Sequence, residues 1–205
     1  MKRLKRLSVA ILVIAMLAVP STAMASYAFD YGNTNGMTYG DDCVYEANRM
    51  WGTLGLTYSS YIGSTFTKST FLNNCATGNG VYAYTHGSAD AISDNSNSSS
   101  NYIYRSDVSS KRGTDWKRLV FLDACRTADN SNWASAWGIS NGDGSSHAFI
   151  GWKGESQDSW NYYVFTTEFL YWVKNKKTIQ YALDQARIKT SISHYGTYGS
   201  TSWSY

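Results

Sequence analysis

The sequence predicts an α/β chain, most simply a three-layer sandwich around a mostly parallel sheet with helices on both faces. Three observations point there. Residues 118–128, RLVFLDACRTA, carry four consecutive apolar side chains from Leu119 to Leu122, the pattern of a strand buried on both faces. Residues 80–89, GVYAYTHGSA, read as a second such strand, and segments of helical period alternate with these runs along the chain.

The first 25 residues read as a leader outside the fold. MKRLKR is a positively charged opening, LSVAILVIAMLAV is an apolar stretch too short for a membrane span, and Ala23-Met24-Ala25 fits the small-residue cleavage rule. Cleavage before Ser26 is expected, with export to the extracellular space or the cell envelope and no stable membrane anchor afterwards. Residues 26–205 then form a single domain, and 205 residues less the 25 of the leader leave 180, enough for a full core.

Losing the leader changes the charge balance, because Lys2, Arg3, Lys5 and Arg6 go with it. The 18 basic residues less these four leave 14 against 15 acidic ones, a formal charge of −1. That balance argues against a nucleic-acid partner or an anionic membrane surface.

Cys43, Cys75 and Cys125 enter a compartment that permits disulfides, and an odd number leaves at least one thiol unpaired and worth treating as reactive. Zinc is a poor reading, since no CxxC or HxxxH spacing exists and His86, His147 and His194 are scattered. Asn33, Asn35, Gly36 and Asp42 follow part of a calcium-loop pattern whose first ligand position is held by Tyr31. No metal or other cofactor is therefore expected, with calcium the one ion to test.

In chain order, residues 26–32 alternate as a first strand. Asp41 or Asp42 is expected to cap a helix reaching about Leu54, with Cys43, Ala47, Met50 and Trp51 on one face and Gly55 as its stop. LTYSSYIG suits an edge strand, and Thr67 caps a short helix through Phe71, Leu72 and Cys75, closed by Gly78-Asn79-Gly80. After the strand ending at His86-Gly87, residues 94–101, DNSNSSSN, read as a mobile polar loop, and NYIYRSDV as a short strand or hairpin arm. Residues 109–117 lead as a short helix into the central strand. A helix over Trp133 to Trp137, a loop over 141–146 and a strand in HAFIGWKG follow. Phe165, Phe169, Trp172 and Val173 share one face of a helix from Trp160, and Thr178 caps a last helix carrying Ile179, Ala182, Leu183 and Ala186. The tail GTYGSTSWSY has no period and reads as an extended surface segment.

Two buried strands thus end in His86-Gly87 and in Asp123-Ala124-Cys125. If they are neighbours in a parallel sheet, both ends open on one edge, where such sheets present their chemistry. A thiol needs an adjacent base to supply thiolate, which His86 would be, and Gly87, lacking a Cβ, lets its N–H approach a developing oxyanion.

Strand-His-Gly followed by strand-Asp-Ala-Cys resembles the caspase-like (clan CD) cysteine peptidases, with LDACRTA most similar to CHAT-type and metacaspase-like members. The resemblance covers roughly residues 71–188. It implies Cys125 as nucleophile, His86 as general acid and base, and the N–H groups of Gly87 and Cys125 as oxyanion hole. It also implies that Asp123 lines an acidic pocket for a substrate Arg or Lys. This chain departs from the family pattern in the Arg-Thr-Ala after Cys125, in Trp152, which would narrow that pocket, and in Arg126, which is able to pair with Asp123 and silence it. The implied activity is secreted cysteine endopeptidase, the implied partner a protein or peptide substrate. In a caspase-like sheet the first two crossover helices lie on opposite faces, which would keep Cys43 and Cys75 apart.

Other readings stand beside these. Cys125 alone could be a buried small apolar residue, and Asp123 could accept backbone N–H bonds at a helix start. Trp133, Trp137 and Trp160 suit a core or a sugar-stacking platform, so a non-catalytic module binding glycan or protein through an aromatic face is the main rival.

Overall fold

The computed structural model describes residues 27–112, 117–141 and 146–205. The expected leader lies outside them, as do parts of the helix expected over 109–117 and of the loop over 141–146.

Among the described residues eight strands and six α-helices follow in order: β1 (Tyr27–Gly32), α1 (Gly40–Thr53), β2 (Thr57–Ile62), α2 (Lys68–Cys75), β3 (Gly80–Tyr84), β4 (Ala91–Ile92), β5 (Ile103–Tyr104), α3 (Arg105–Lys111), β6 (Leu119–Asp123), α4 (Asn132–Ala136), β7 (Ala148–Trp152), α5 (Trp160–Lys174), α6 (Ile179–Thr190) and β8 (Tyr195–Gly199). Six strands form one sheet in the order β2-β1-β3-β6-β7-β8, while β4 and β5 make a small antiparallel hairpin. All neighbours in the large sheet are parallel except β7 and β8. This is the predicted three-layer α/β architecture.

The apolar run of β6 explains the layering. Leu119 and Phe121 join one core with α1, α5 and α6, and Val120 and Leu122 join the other with α2, α3 and α4. A strand covered on both faces needs apolar residues at every position, because successive side chains alternate between faces. The same alternation separates Cys43, in the first core, from Cys75, in the second; both are buried and neither is in a disulfide.

The helix ends follow local chemistry. Thr67 and Thr178 accept the N–H groups of Thr70 and Tyr181, each at 3.1 Å, as N-caps do. Helix α1 departs from expectation: Tyr39 holds its N-cap position without a side-chain bond, and Asp41 and Asp42 lie in the first turn, where they complement the helix dipole. A Cβ on Gly40 would come within 2.1 Å of the Asn33 carbonyl oxygen, so only glycine lets the helix start this close to the end of β1.

Two further expectations are corrected. Residues 94–101 do not hang free. The buried Asn33 amide donates to the Asp94 carbonyl at 3.1 Å and to Asn97 Oδ1 at 2.7 Å, and the Asp94 carboxylate accepts from Ser96 N and Lys68 N. The Asn33 side chain, considered above for calcium, is engaged in this cross-link. The tail is no surface segment either: residues 195–199 form β8 against β7, and Trp203 packs into the first core.

Candidate active site

The chain runs from β1 out to β2 and then returns to the other side of β1 as β3. In such a sheet the crevice beyond the C-terminal strand ends near this reversal is where ligands bind. Onto that edge emerge the residues after β3 and β6.

Strands β3 and β6 pair in parallel with Tyr84 opposite Asp123, and the bond from Thr85 N to Asp123 O, 3.2 Å, extends the ladder. Two residues further along each chain, His86 falls opposite Cys125. Both line a cavity of about 130 Å³ with Asp123, Tyr84, Ser156 and Asp158. His86 is exposed and Cys125 half-buried. The structure therefore brings together the imidazole and the thiol that the sequence singled out.

Gly87 is fixed by its neighbours on both sides. It faces Ile92 in an antiparallel bridge flanked by the bonds Ser88 N to Ala91 O (2.8 Å) and Ser93 N to His86 O (3.0 Å). That makes Gly87 and Ile92 a non-hydrogen-bonded pair, whose own N–H and C=O groups point away from each other. The Gly87 N–H is thus turned off the β4 side, and Ala124 and Cys125 crowd the glycine at 2.7 and 3.0 Å from where a Cβ would stand. Among the described residues neither the Gly87 nor the Cys125 N–H has a hydrogen-bond acceptor. Two donors beside a thiol are what an oxyanion hole requires.

The turn after Cys125 is held by Thr127, whose hydroxyl donates to the carbonyls of Leu122 (3.0 Å) and Ala124 (2.9 Å). Arg126 takes the left-handed region, with φ of 60°, and its N–H reaches Gly154 O at 2.7 Å. The thiol itself donates to the Ser156 carbonyl at 3.2 Å, with the Ser156 hydroxyl at 3.4 Å. It is directed at the loop after β7 and not at His86.

Asp123 lies beneath. It is 3% exposed and accepts three bonds, from Trp152 Nε1 at 2.6 Å, Thr166 Oγ1 at 2.7 Å and Tyr82 OH at 2.9 Å. Burial pushes its carboxyl up to about 6 despite those bonds. Trp152 is fully buried: it packs among Phe165, Tyr162 and Phe121, bonds Asp123 from the core, and is not among the residues that line the cavity. Arg126 pairs with Asp129 at 2.8 Å and leaves Asp123 alone.

Asp158 carries no signal in the sequence. It sits on the cavity wall, accepting from Tyr84 OH and from Thr38 N, each at 2.6 Å. Partial burial works against its ionisation, yet the bonds from Tyr84 and Thr38 hold its carboxyl below the usual range. No cation pairs with it among the described residues. It and Ser156 come from an irregular loop, SQDS over 156–159 before α5, which only the fold carries to the strand ends.

No group of three or more His, Cys, Asp or Glu side chains that could hold a metal ion occurs among the described residues, and no described helix is long and apolar enough to cross a membrane. No protein-family model matches the chain, and no curated protein matches it.

Proposed function

We propose that the chain is an exported cysteine endopeptidase of the caspase-like kind, with Cys125 as nucleophile and His86 as general acid and base. One observation carries the reading. The ends of adjacent parallel strands set His86 and Cys125 on the wall of one cavity, beside two backbone N–H groups that have no acceptor among the described residues. Export rests on the leader's composition, and the resemblance of the two strand-end motifs supports the family.

The reaction follows from the groups present. The thiol first turns away from the Ser156 carbonyl, which accepts a bond from S–H but would repel a thiolate, and passes its proton to His86. Cys125 sulfur then bonds to the substrate carbonyl carbon while the C=O electron pair moves to oxygen, held by the Gly87 and Cys125 N–H groups. As the C–N bond breaks, His86 returns its proton to the leaving amine and a thioester remains. Water, losing a proton to His86, attacks that thioester, releasing the acid and the Cys125 thiolate, which takes the proton back.

The ionised Asp158 supports cleavage after Arg or Lys, since it sits on the same cavity wall as Cys125 and a carboxylate suits a guanidinium or ammonium. Asp123 adds negative charge below it when ionised. Acyloxymethyl ketone probes bearing Arg, Lys, Asp or Asn test this on wild type and Cys125→Ala. Labelling of wild type by the basic probes, lost in Cys125→Ala, is expected. No labelling under reducing conditions, with or without calcium, would refute the peptidase reading, and labelling by the Asp or Asn probes alone would refute basic specificity.

A second reading has one observation of its own. Trp160 is 62% exposed and groups with Tyr163 (5.2 Å between ring centres) and Tyr39 beside the cavity, the make-up of a stacking platform. A non-catalytic module binding glycan or protein there would show Trp160-dependent ligand binding and no probe labelling.

A further inference from the structure

We propose that the cavity on the far side of His86 is the subsite for the first substrate residue after the scissile bond, and that it selects an uncharged, bulky side chain, aromatic or branched aliphatic. The proposal rests on the cysteine-peptidase reading and says which substrates it favours.

His86 is a wall shared by two cavities. On one side lies the small cavity of Cys125 and Asp158; on the other a cavity of about 340 Å³ is lined by Gly87, Ser88, Ile92, Tyr102 and Tyr104 among others. The chemistry orders the two. When the C–N bond breaks, the leaving nitrogen takes its proton from His86, so that nitrogen must stand at the imidazole. The acyl side, still bonded to Cys125 sulfur, stays with Cys125 and Asp158. The chain beyond the leaving nitrogen therefore continues past His86, into the second cavity.

The lining sets the preference. The volume lies near the small end of ligand pockets, at about 300–1,000 Å³, so it takes one large side chain. Tyr102 and Tyr104 offer ring surface, with Tyr104 44% exposed. The charges nearby are already paired. Asp90, itself part of the lining, is held by Arg105 Nε at 2.8 Å, and Lys68, 5.6 Å from the Tyr104 ring centre, is held by Asp107 at 2.9 Å. The Cys125 cavity, by contrast, offers the ionised Asp158 with no cation on it among the described residues. The acyl-side cavity thus suits a cation and the leaving-side cavity an apolar group. The second cavity is built on a bonded frame, Ser93 N to His86 O and Ser88 N to Ala91 O, backed by the fully buried Ile103 of the hairpin.

Internally quenched peptides with a fixed Arg before the scissile bond and Phe, Leu, Gly or Asp after it provide the test, beside the methyl ester of the same acyl part. The ester's leaving group, methanol, leaves the second cavity empty. The expected result is about a tenfold or larger gain in kcat/KM for Phe and Leu over Gly, with Asp poorest. In Tyr102→Ala and in Tyr104→Ala the gain shrinks while ester hydrolysis stays at the wild-type rate. Normal ester hydrolysis with equal rates for Phe and Gly, or a preference unchanged in both variants, overturns the subsite alone. Absence of both ester hydrolysis and thiol labelling in the wild type overturns the peptidase reading and the subsite with it.

Discussion

Gly87 packs against Ala124 so closely that a Cβ on Gly87 would stand 2.7 Å from the Ala124 Cβ, with the Cys125 carbonyl oxygen 3.0 Å away. Both neighbours belong to the β6 end and cannot swing aside like a long side chain. In Gly87→Ala the His86-Gly87 segment must therefore move off Cys125, separating imidazole, thiol and the two N–H donors. A stability loss of about 1–3 kcal/mol is expected, and Cys125 labelling slows by about 100-fold or more as the oxyanion contacts are lost. Urea denaturation and labelling rates check this. A variant with wild-type stability and wild-type labelling would contradict the packing argument.

Asp123 should make stability depend on pH in an unusual direction. Its carboxyl titrates at about 6 in the folded protein against 3.8 when unperturbed, so between those values the folded chain binds a proton that the unfolded chain has released. The group's contribution is then full below about pH 3.8 and lost as pH rises through about 6, an amount on the order of 3 kcal/mol. Asp123→Asn removes this slope: the amide oxygen accepts from Trp152, and the amide N–H groups donate to the hydroxyls of Tyr82 and Thr166. Asp30, buried and also raised, titrates in the same direction, so the quantity to measure is the difference between wild type and Asp123→Asn in urea melts from pH 4 to 8.

Asp158 is expected to carry the basic preference. Asp158→Asn keeps an acceptor for Tyr84 but loses the charge, and kcat/KM for Arg- and Lys-bearing substrates should fall about 10- to 100-fold. Iodoacetamide still alkylates Cys125 in the variant. A fall shared equally by substrates with an uncharged residue at that position would show that Asp158 only braces the loop through Thr38 and Tyr84.

The three thiols should separate by burial. Cys43 and Cys75 are buried on opposite faces, and burial pushes the Cys75 thiol up to about 12, whereas Cys125 reaches the cavity. Alkylation of the native protein without reductant should modify one cysteine, Cys125, and alkylation in guanidinium should modify all three. Resistance of Cys43 and Cys75 in denaturant, relieved by reductant, would mean that they are oxidised.

What the sequence made legible follows from periodicity. β3 and β6 could be read because a strand covered on both faces is apolar at every step, and their ends named His86, Gly87, Cys125 and Asp123. For Trp152 a position beside the site says nothing of which face it takes; on β7 it points into the layer under α5. Asp158 and Ser156 lie in an aperiodic loop and reach the site only through tertiary folding. β8 was illegible for a different reason. Its glycines leave little side-chain pattern, and they serve packing: a Cβ on Gly196 would be 2.6 Å from the Ala128 Cβ, and Gly199 takes φ of +84°.

That tail supplies the last prediction. Beyond β8, the carbonyls of Thr201 and Trp203 accept the N–H groups of Gln180 (2.8 Å) and Ile179 (3.1 Å), so the tail satisfies first-turn donors of α6 that have no partner within the helix. The Trp203 and Tyr205 rings lie 5.0 and 4.6 Å from the Arg118 guanidinium, just before β6. Trp203→Ala removes a 9%-exposed indole and that cation–π contact, and should cost about 3–5 kcal/mol. Arg118 stands at the N-terminal end of the parallel strands and the cavity at their C-terminal ends, so the folded fraction should still label at Cys125 with wild-type rate. Urea denaturation paired with labelling stoichiometry distinguishes the outcomes. A variant of unchanged stability would show that the tail is not part of the core, and one of slowed labelling at full folding would show that it acts on the site.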